Sequence, residues 1–121
     1  MQLRKGAVCM NKLEIIIKPE KLEQLKNILT DSHATGVMIS NVMGYGNQNG
    51  YKQMYRGTEY TVNLLPKLKV ETVVAEDAAD SIVERIVAEI TTGTHGDGKI
   101  FIYDVQDAVR IRTGERGEEA L

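Results

Sequence analysis

An α+β sandwich, with two helices laid on one face of an antiparallel sheet, is predicted by three observations. Strand-like stretches rich in β-branched and alternating apolar residues flank two stretches whose apolar residues recur at helical spacing. These elements fall into two β-α-β halves of similar size, and a long polar loop separates the halves. At 121 residues the chain is sized for a single domain that buries its own core without disulfides or a structural metal.

In "NKLEIIIKP", Leu13, Ile15 and Ile17 share one face, Glu14 and Lys18 are polar, and Pro19 ends the strand. "PEKLEQLKNILTDSHATG" places Leu22, Leu25, Ile28 and Leu29 on one helical stripe, predicting a helix over roughly 20–33 that Pro19 opens and Gly36 stops. "VMISNVMG", between Gly36 and Gly44, reads as the second strand. After the loop, "NLLPKLKVETVVA" alternates Leu68, Val70 and Thr72 against Lys67, Lys69 and Glu71, with Pro66 where an unpaired edge tolerates it. Asp77 is the expected cap of a second helix carrying Ile82, Val83, Ile86, Val87 and Ile90 and ending at Gly93. "KIFIYDV" and "AVRIRT" read as two closing strands joined by "QD".

This order is the split βαβ (βαββαβ) pattern of a ferredoxin-like sandwich. The sheet face away from the helices needs covering. With one phenylalanine and no tryptophan, aromatic bulk cannot shield it, while "EIIIK" and "KVETVV" offer apolar residues to both sides. Self-association into a closed ring is the expected solution.

A net charge of -2, with 42% hydrophobic and 26% charged residues, describes a globular chain and argues against a nucleic-acid partner. The single cysteine, Cys9, excludes an intrachain disulfide and suits a reducing cytoplasm. No apolar run reaches signal-peptide or membrane-spanning length, so neither export nor insertion is expected. Residues 1–9 read as a disordered N-terminal extension, with Met10 an alternative start, and residues 10–121 as the single domain.

Two stretches carry the chemistry. In "TGTHGDGKIFIYDVQDAVRIRTGE", Gly93, Gly96 and Gly98 allow a tight turn, and Lys99 opens the next strand, so amide N–H groups and an ammonium can face an anion. A helix C-cap with a solvated lysine is the plainer reading of GxGK by itself. On a strand, Arg110 and Arg112 would leave one face roughly 7 Å apart, a span suited to adjacent phosphates. Together these features point to a polyphosphate site, though not a P-loop, because GxxxxGK[ST] is absent. The other stretch, "GYGNQNGYKQMYRGTEY", is too long and polar for an ordinary connection. Tyr51, Met54, Tyr55, Arg56 and Tyr60 would anchor a partner protein, and an exposed β-hairpin tip is the competing reading. His33 and His95 are read as structural or solvated, and no catalytic constellation is found.

Over residues 10–121 the chain resembles the PII signal transduction proteins, nitrogen regulators of the GlnB/GlnK type. "YRGTEY" resembles the signature of their T-loop, here about 45–62, and "TGTHGDGKIFIYDV" with "RIRTGE" resembles their second signature. The resemblance implies a homotrimer with ATP or ADP between neighbours and three projecting T-loops. On matching positions, Gly96 and Lys99 would contact phosphates, and Arg110 and Arg112 would reach them across the interface. Thr35, Gly36 and Met38 would lie near adenine and ribose. Gly44, Gly46 and Gln48 match the effector segment, where ATP and Mg2+ together bind 2-oxoglutarate. Gln48 would ligate the metal, Gly50 would offer its N–H, and Lys67 would pair with the keto acid's carboxylate. Tyr60 matches the tyrosine that some members have uridylylated or adenylylated. Two departures stand out: Asn47 where many members carry an arginine, and Thr58 where Ala or Ser is common.

The function implied is a cytoplasmic sensor without catalytic turnover, acting on ammonium channels, nitrogen-assimilation enzymes or regulators through the T-loop. A PII-like sensor of altered effector specificity and a slow ATPase using Lys99 are the alternatives.

Overall fold

The computed structural model describes residues 9–45, 51–55, 58–62 and 64–121, with side chains outside 51–62. The expected extension therefore lies outside the described residues, apart from Cys9. The elements run β1 (Met10–Ile17), a 3-10 turn (Pro19–Lys21), α1 (Leu22–Asp31), β2 (Val37–Tyr45), β3 (Tyr51–Tyr55), β4 (Thr58–Val62), β5 (Leu64–Ala75), α2 (Glu76–Glu89) and β6 (Lys99–Val105), with a last 3-10 turn at Gly117–Ala120.

Strands β1 and β5 are central because their alternation is the strongest, and they pair antiparallel from Met10↔Ala75 to Ile17↔Leu68. β6 joins the free side of β1 and β2 the free side of β5, giving the all-antiparallel order β2-β5-β1-β6. This is the ferredoxin-like α+β arrangement. Leu13, Ile15 and Ile17 of β1 and Leu68, Val70 and Val74 of β5 meet Leu25, Ile28 and Leu29 of α1 and Ala79, Ile82 and Ile86 of α2 in one core. Burying each of the leucine, isoleucine and valine side chains contributes about 1.5–3 kcal/mol. Arg85 of α2 bonds Asp31 at the end of α1 at 3.0 Å, which ties the two helices outside the core. Within the core, the Thr72 hydroxyl is buried without a hydrogen-bond partner among the described residues. Pro66 pairs with Met43 of β2 but lies beyond Leu68, the last β5 residue paired to β1.

The opposite sheet face is mixed rather than apolar. By register it carries Ile16, Val73, Phe101 and Tyr103 among Lys12, Glu14, Lys69 and Glu71. Lys12 pairs with Glu71 at 3.0 Å and sits 5.3 Å from the centre of the Tyr103 ring. Exposed apolar side chains gather at the two edge strands, with Met38, Ile39 and Met43 on β2 and Phe101, Ile102 and Tyr103 on β6.

Four boundaries differ from expectation. Pro19 does open the first helical segment, but the helix ends at Asp31, and its stop is His33, not Gly36. His33 takes φ 59°, its N–H donates to the Thr30 carbonyl, and the Ala34 N–H reaches back to Leu29 at 3.0 Å. That is a Schellman closure with histidine in the place glycine usually holds. The second helix starts at Glu76 after Ala75, with no side-chain cap, so Asp77 acts only as an acidic residue of the first turn. The same helix stops at Glu89, before Gly93. The closing strand over "AVRIRT" does not form: only Val109 pairs, with Arg116. Gly114 and Gly117 take φ 74° and 69° and fold the segment back, and the Asp107 carboxylate accepts from the N–H groups of Ala108 and Gly117. The long middle segment contains the antiparallel hairpin β3–β4, paired from Tyr51↔Val62 to Tyr55↔Thr58.

Candidate functional site

The loop from Thr91 to Gly98 is organised by one carboxylate. Asp97 accepts from the backbone N–H groups of Thr92 (2.8 Å) and Gly93 (3.0 Å) and from the hydroxyls of Thr91 (3.1 Å), Thr92 (2.5 Å) and Thr94 (3.4 Å). These donors, the Thr92 hydroxyl first, hold its pKa far below the ordinary carboxylate range. Gly93, Gly96 and Gly98 all take positive φ, as the expected tight turn requires. At Gly98 the requirement is absolute: φ is 112° and an added Cβ would lie 1.8 Å from the carbonyl oxygen of Ile16. The loop is thereby pressed against the end of β1, and the chain leaves it at Lys99, whose side chain is exposed and has no ion-pair partner among the described residues. Asp97 was not foreseen as a functional residue. The signal was an acidic residue inside a threonine- and glycine-rich turn, legible only once the turn closes around it.

Beside this loop lies a cleft of about 550 Å³ lined by Lys18, Glu20, Pro66, Lys67, Thr94 and His95, among others. Lys67, on β5, is 5% exposed. Its Nζ donates to the Gly96 carbonyl at 2.9 Å. Burial first, and Lys18 second, lower its pKa. Its stem lies over Gly44, where a Cβ would come within 3.1 Å of the Lys67 Cγ. Gly44, Lys67 and Gly96, separate in the sequence, are thus joined through one side chain. Gly44 sits near the end of β2, where the chain enters the long loop.

The other expected residues lie elsewhere. Thr35 and Gly36 precede β2 and Met38 lies on it, 65% exposed. Strand β2 is at one sheet edge and β6, with Lys99, at the other, three inter-strand steps or about 14 Å away. A single chain therefore does not bring these groups to one ligand. The strand geometry expected of Arg110 and Arg112 is corrected by the turn at 111–113. Arg110 bonds Glu115 at 3.1 Å and the Leu121 carbonyl at 3.0 Å, while Arg112 is exposed with no hydrogen bond among the described residues. Gly46, Asn47, Gln48 and Gly50 lie outside the described residues, as does Arg56. Tyr60 pairs with Gln53 in the hairpin.

Known proteins match this arrangement in sequence and in fold. The family model for nitrogen regulatory protein P-II matches residues 10–115. The nitrogen regulatory protein P-II of Rhizobium etli is 52% identical over 106 residues, covering 88% of this chain and 95% of that protein. Its counterpart in Pasteurella multocida is 47% identical over 112 residues, 93% of this chain and all of the relative. Among solved structures, GlnK of B. subtilis superposes with a TM-score of 0.76 at 39% identity, covering 93% of this chain and 99% of that one. The B. subtilis GlnK-ATP complex gives 0.75 at 35%, covering 95% and 98%. The matched segment contains both the Asp97-centred loop and the Lys67 cleft, and this chain belongs to the P-II family of nitrogen regulatory proteins.

Proposed function

We propose that this chain is a cytoplasmic sensor without catalytic turnover, which reads ATP, ADP and 2-oxoglutarate and reports them through the T-loop. The observation that carries the reading is the position of Lys67, whose stem packs on the base of the loop at Gly44 and whose ammonium bonds the glycine-rich turn at Gly96. An ammonium held by a neutral carbonyl gains a stronger, charge-assisted partner when a carboxylate enters the cleft. Exchange of Gly96 for that carboxylate would move the contact that packs against Gly44, biasing the segment that follows it.

Nucleotide binding is supported by the ATP complex of B. subtilis GlnK and by the fit of the local groups. The Lys99 ammonium has no ion-pair partner among the described residues and follows directly on the glycine-rich turn, whose Thr92 and Gly93 amides are held by Asp97 and whose Gly98 packs on Ile16. Gly96 and Lys99 would hold phosphates. Thr35, Gly36 and Met38 would meet the base and ribose from the opposite sheet edge of a neighbouring chain, so the site would form between the subunits of the proposed homotrimer. The exposed apolar edges of β2 and β6 suit that assembly. Arg112 is available to reach phosphate across the interface; Arg110 would first have to release Glu115 and Leu121. Bound Mg2+ would supply a doubly charged centre for the ligand's keto and carboxylate oxygens, with Gln48 its protein ligand. Gly44, Gly46 and Gly50 would shape the loop base around it.

The partners proposed are an ammonium channel or a nitrogen-assimilation enzyme or regulator, contacted by the T-loop, with Tyr60 a modification site. Calorimetric titration of 2-oxoglutarate in the presence of Mg-ATP, repeated with Mg-ADP and with Lys67→Ala, tests the reading. Binding that needs both ATP and Lys67 is expected. Nucleotide binding with no response to 2-oxoglutarate in any condition would leave the site but remove the nitrogen signal.

A further inference from the structure

The Lys67 cleft is not simply basic. Lys18 and Lys67 line it with Glu20, and Asp97 lies against it, 3.9 Å from Lys18. Asp97 is fully engaged by the N–H and hydroxyl donors of its own loop, and its field falls on Lys18 and on Lys67. That leaves Glu20 as the carboxylate lining the cleft that is committed to no hydrogen bond or ion pair among the described residues. It does not wander freely either, since it sits in the 3-10 turn that Pro19 opens, with backbone held by the Lys21 N–H donating to Lys18 at 3.0 Å. Its field reaches Lys67, where it favours the charged ammonium.

We infer that Glu20 is a specificity-determining residue of this cleft, setting how far the cleft discriminates between a dianionic and a monoanionic 2-oxo acid. The inference rests on the sensor reading above. In the sensor reading one carboxylate lies with the keto group at the metal and the other pairs with Lys67. The carboxylate that reaches Lys67 also meets Glu20, a like charge lining the same cleft, and its binding is weakened, whereas a neutral group in that place is not opposed. Glu20 is exposed, so water screens the repulsion and the effect is a few-fold rather than a complete exclusion. In the empty cleft the same carboxylate supports the buried ammonium of Lys67. Glu20 thus exchanges dianion affinity for a stable charged Lys67 in the unliganded state.

The test compares 2-oxoglutarate with 2-oxoglutaramate, in which the distal carboxylate is a neutral amide. Both are titrated with Mg-ATP into the full-length protein and into Glu20→Gln, at low and at high salt. Glu20→Gln should bind 2-oxoglutarate about two- to five-fold more tightly, change little toward 2-oxoglutaramate, and lose most of its advantage at high salt. Glu20→Lys should extend the gain. An equal shift for both ligands, indicating a packing role, or no shift for either, would overturn the inference while leaving the sensor reading intact. If neither ligand binds any variant although ATP binds all of them, the sensor reading fails and the inference falls with it. Thermal melts of each variant establish that the fold is retained.

Discussion

The Lys67 Nζ donates a 2.9 Å hydrogen bond to the Gly96 carbonyl, so one buried ammonium couples the central strand β5 to the glycine-rich loop. Burial is the larger cause of its lowered pKa and Lys18 the second. Between that lowered value and the ordinary 10.5, the unfolded chain binds more protons at this site than the folded one. The stability contribution of Lys67 therefore rises with pH across that interval. Denaturant unfolding at a series of alkaline pH values should show wild type gaining on Lys67→Met as pH rises. A difference that stays constant with pH would show that the ammonium bears no desolvation cost.

Asp97 carries the opposite sign. Its carboxyl is depressed in the folded state, so its contribution is complete above the unfolded value of 3.8 and is lost as pH falls through the lower folded value. Asp97→Asn should reduce stability and weaken nucleotide binding at neutral pH, because the amide cannot accept from all the donors around it. The gap between the two proteins should close as the pH is lowered below about 4. Urea unfolding at pH 7 and pH 3 checks this, and a gap that widens in acid would refute it.

Gly98 separates steric from conformational cost. With the Ile16 carbonyl 1.8 Å from the position of an added Cβ, Gly98→Ala should destabilise by about 2–4 kcal/mol. Gly93 takes φ 77° with open space around it, and Gly93→Ala should cost only the left-handed penalty of about 1–2 kcal/mol. Thermal melts of the two variants should rank them in that order.

His33 is the only described residue besides glycine with positive φ. Placing glycine there removes the steric cost of the left-handed conformation, so His33→Gly should stabilise by about 1 kcal/mol. Gly36→Ala should not destabilise through its φ, which lies outside that region, and nothing would crowd its Cβ. Loss of stability in His33→Gly would mean that the imidazole makes a contact worth more than the strain.

The sequence by itself determined the order of the four sandwich strands and two helices, the helix-facing core and the two signature stretches. Period-two alternation in β1 and β5 and the helical stripes of α1 and α2 are local patterns, and a chain with those patterns has few ways to bury them. The glycine turn before Lys99 was legible for the same reason, since φ preference belongs to the residue. Where several local solutions compete, the sequence misled. Histidine took the helix stop that Gly36 seemed to offer, and "AVRIRT", with strand-like composition, yielded to the turn imposed by Gly114 and Gly117 and to the Asp107 and Glu115 contacts. Only the tertiary structure decided that Lys67 reaches Gly96 across 29 positions, that Asp97 holds the loop, and that Glu20 shares a cleft with Lys67. Those relations depend on which strand ends the antiparallel pairing brings side by side, and such distances are set by the assembled sheet rather than by any single stretch of chain.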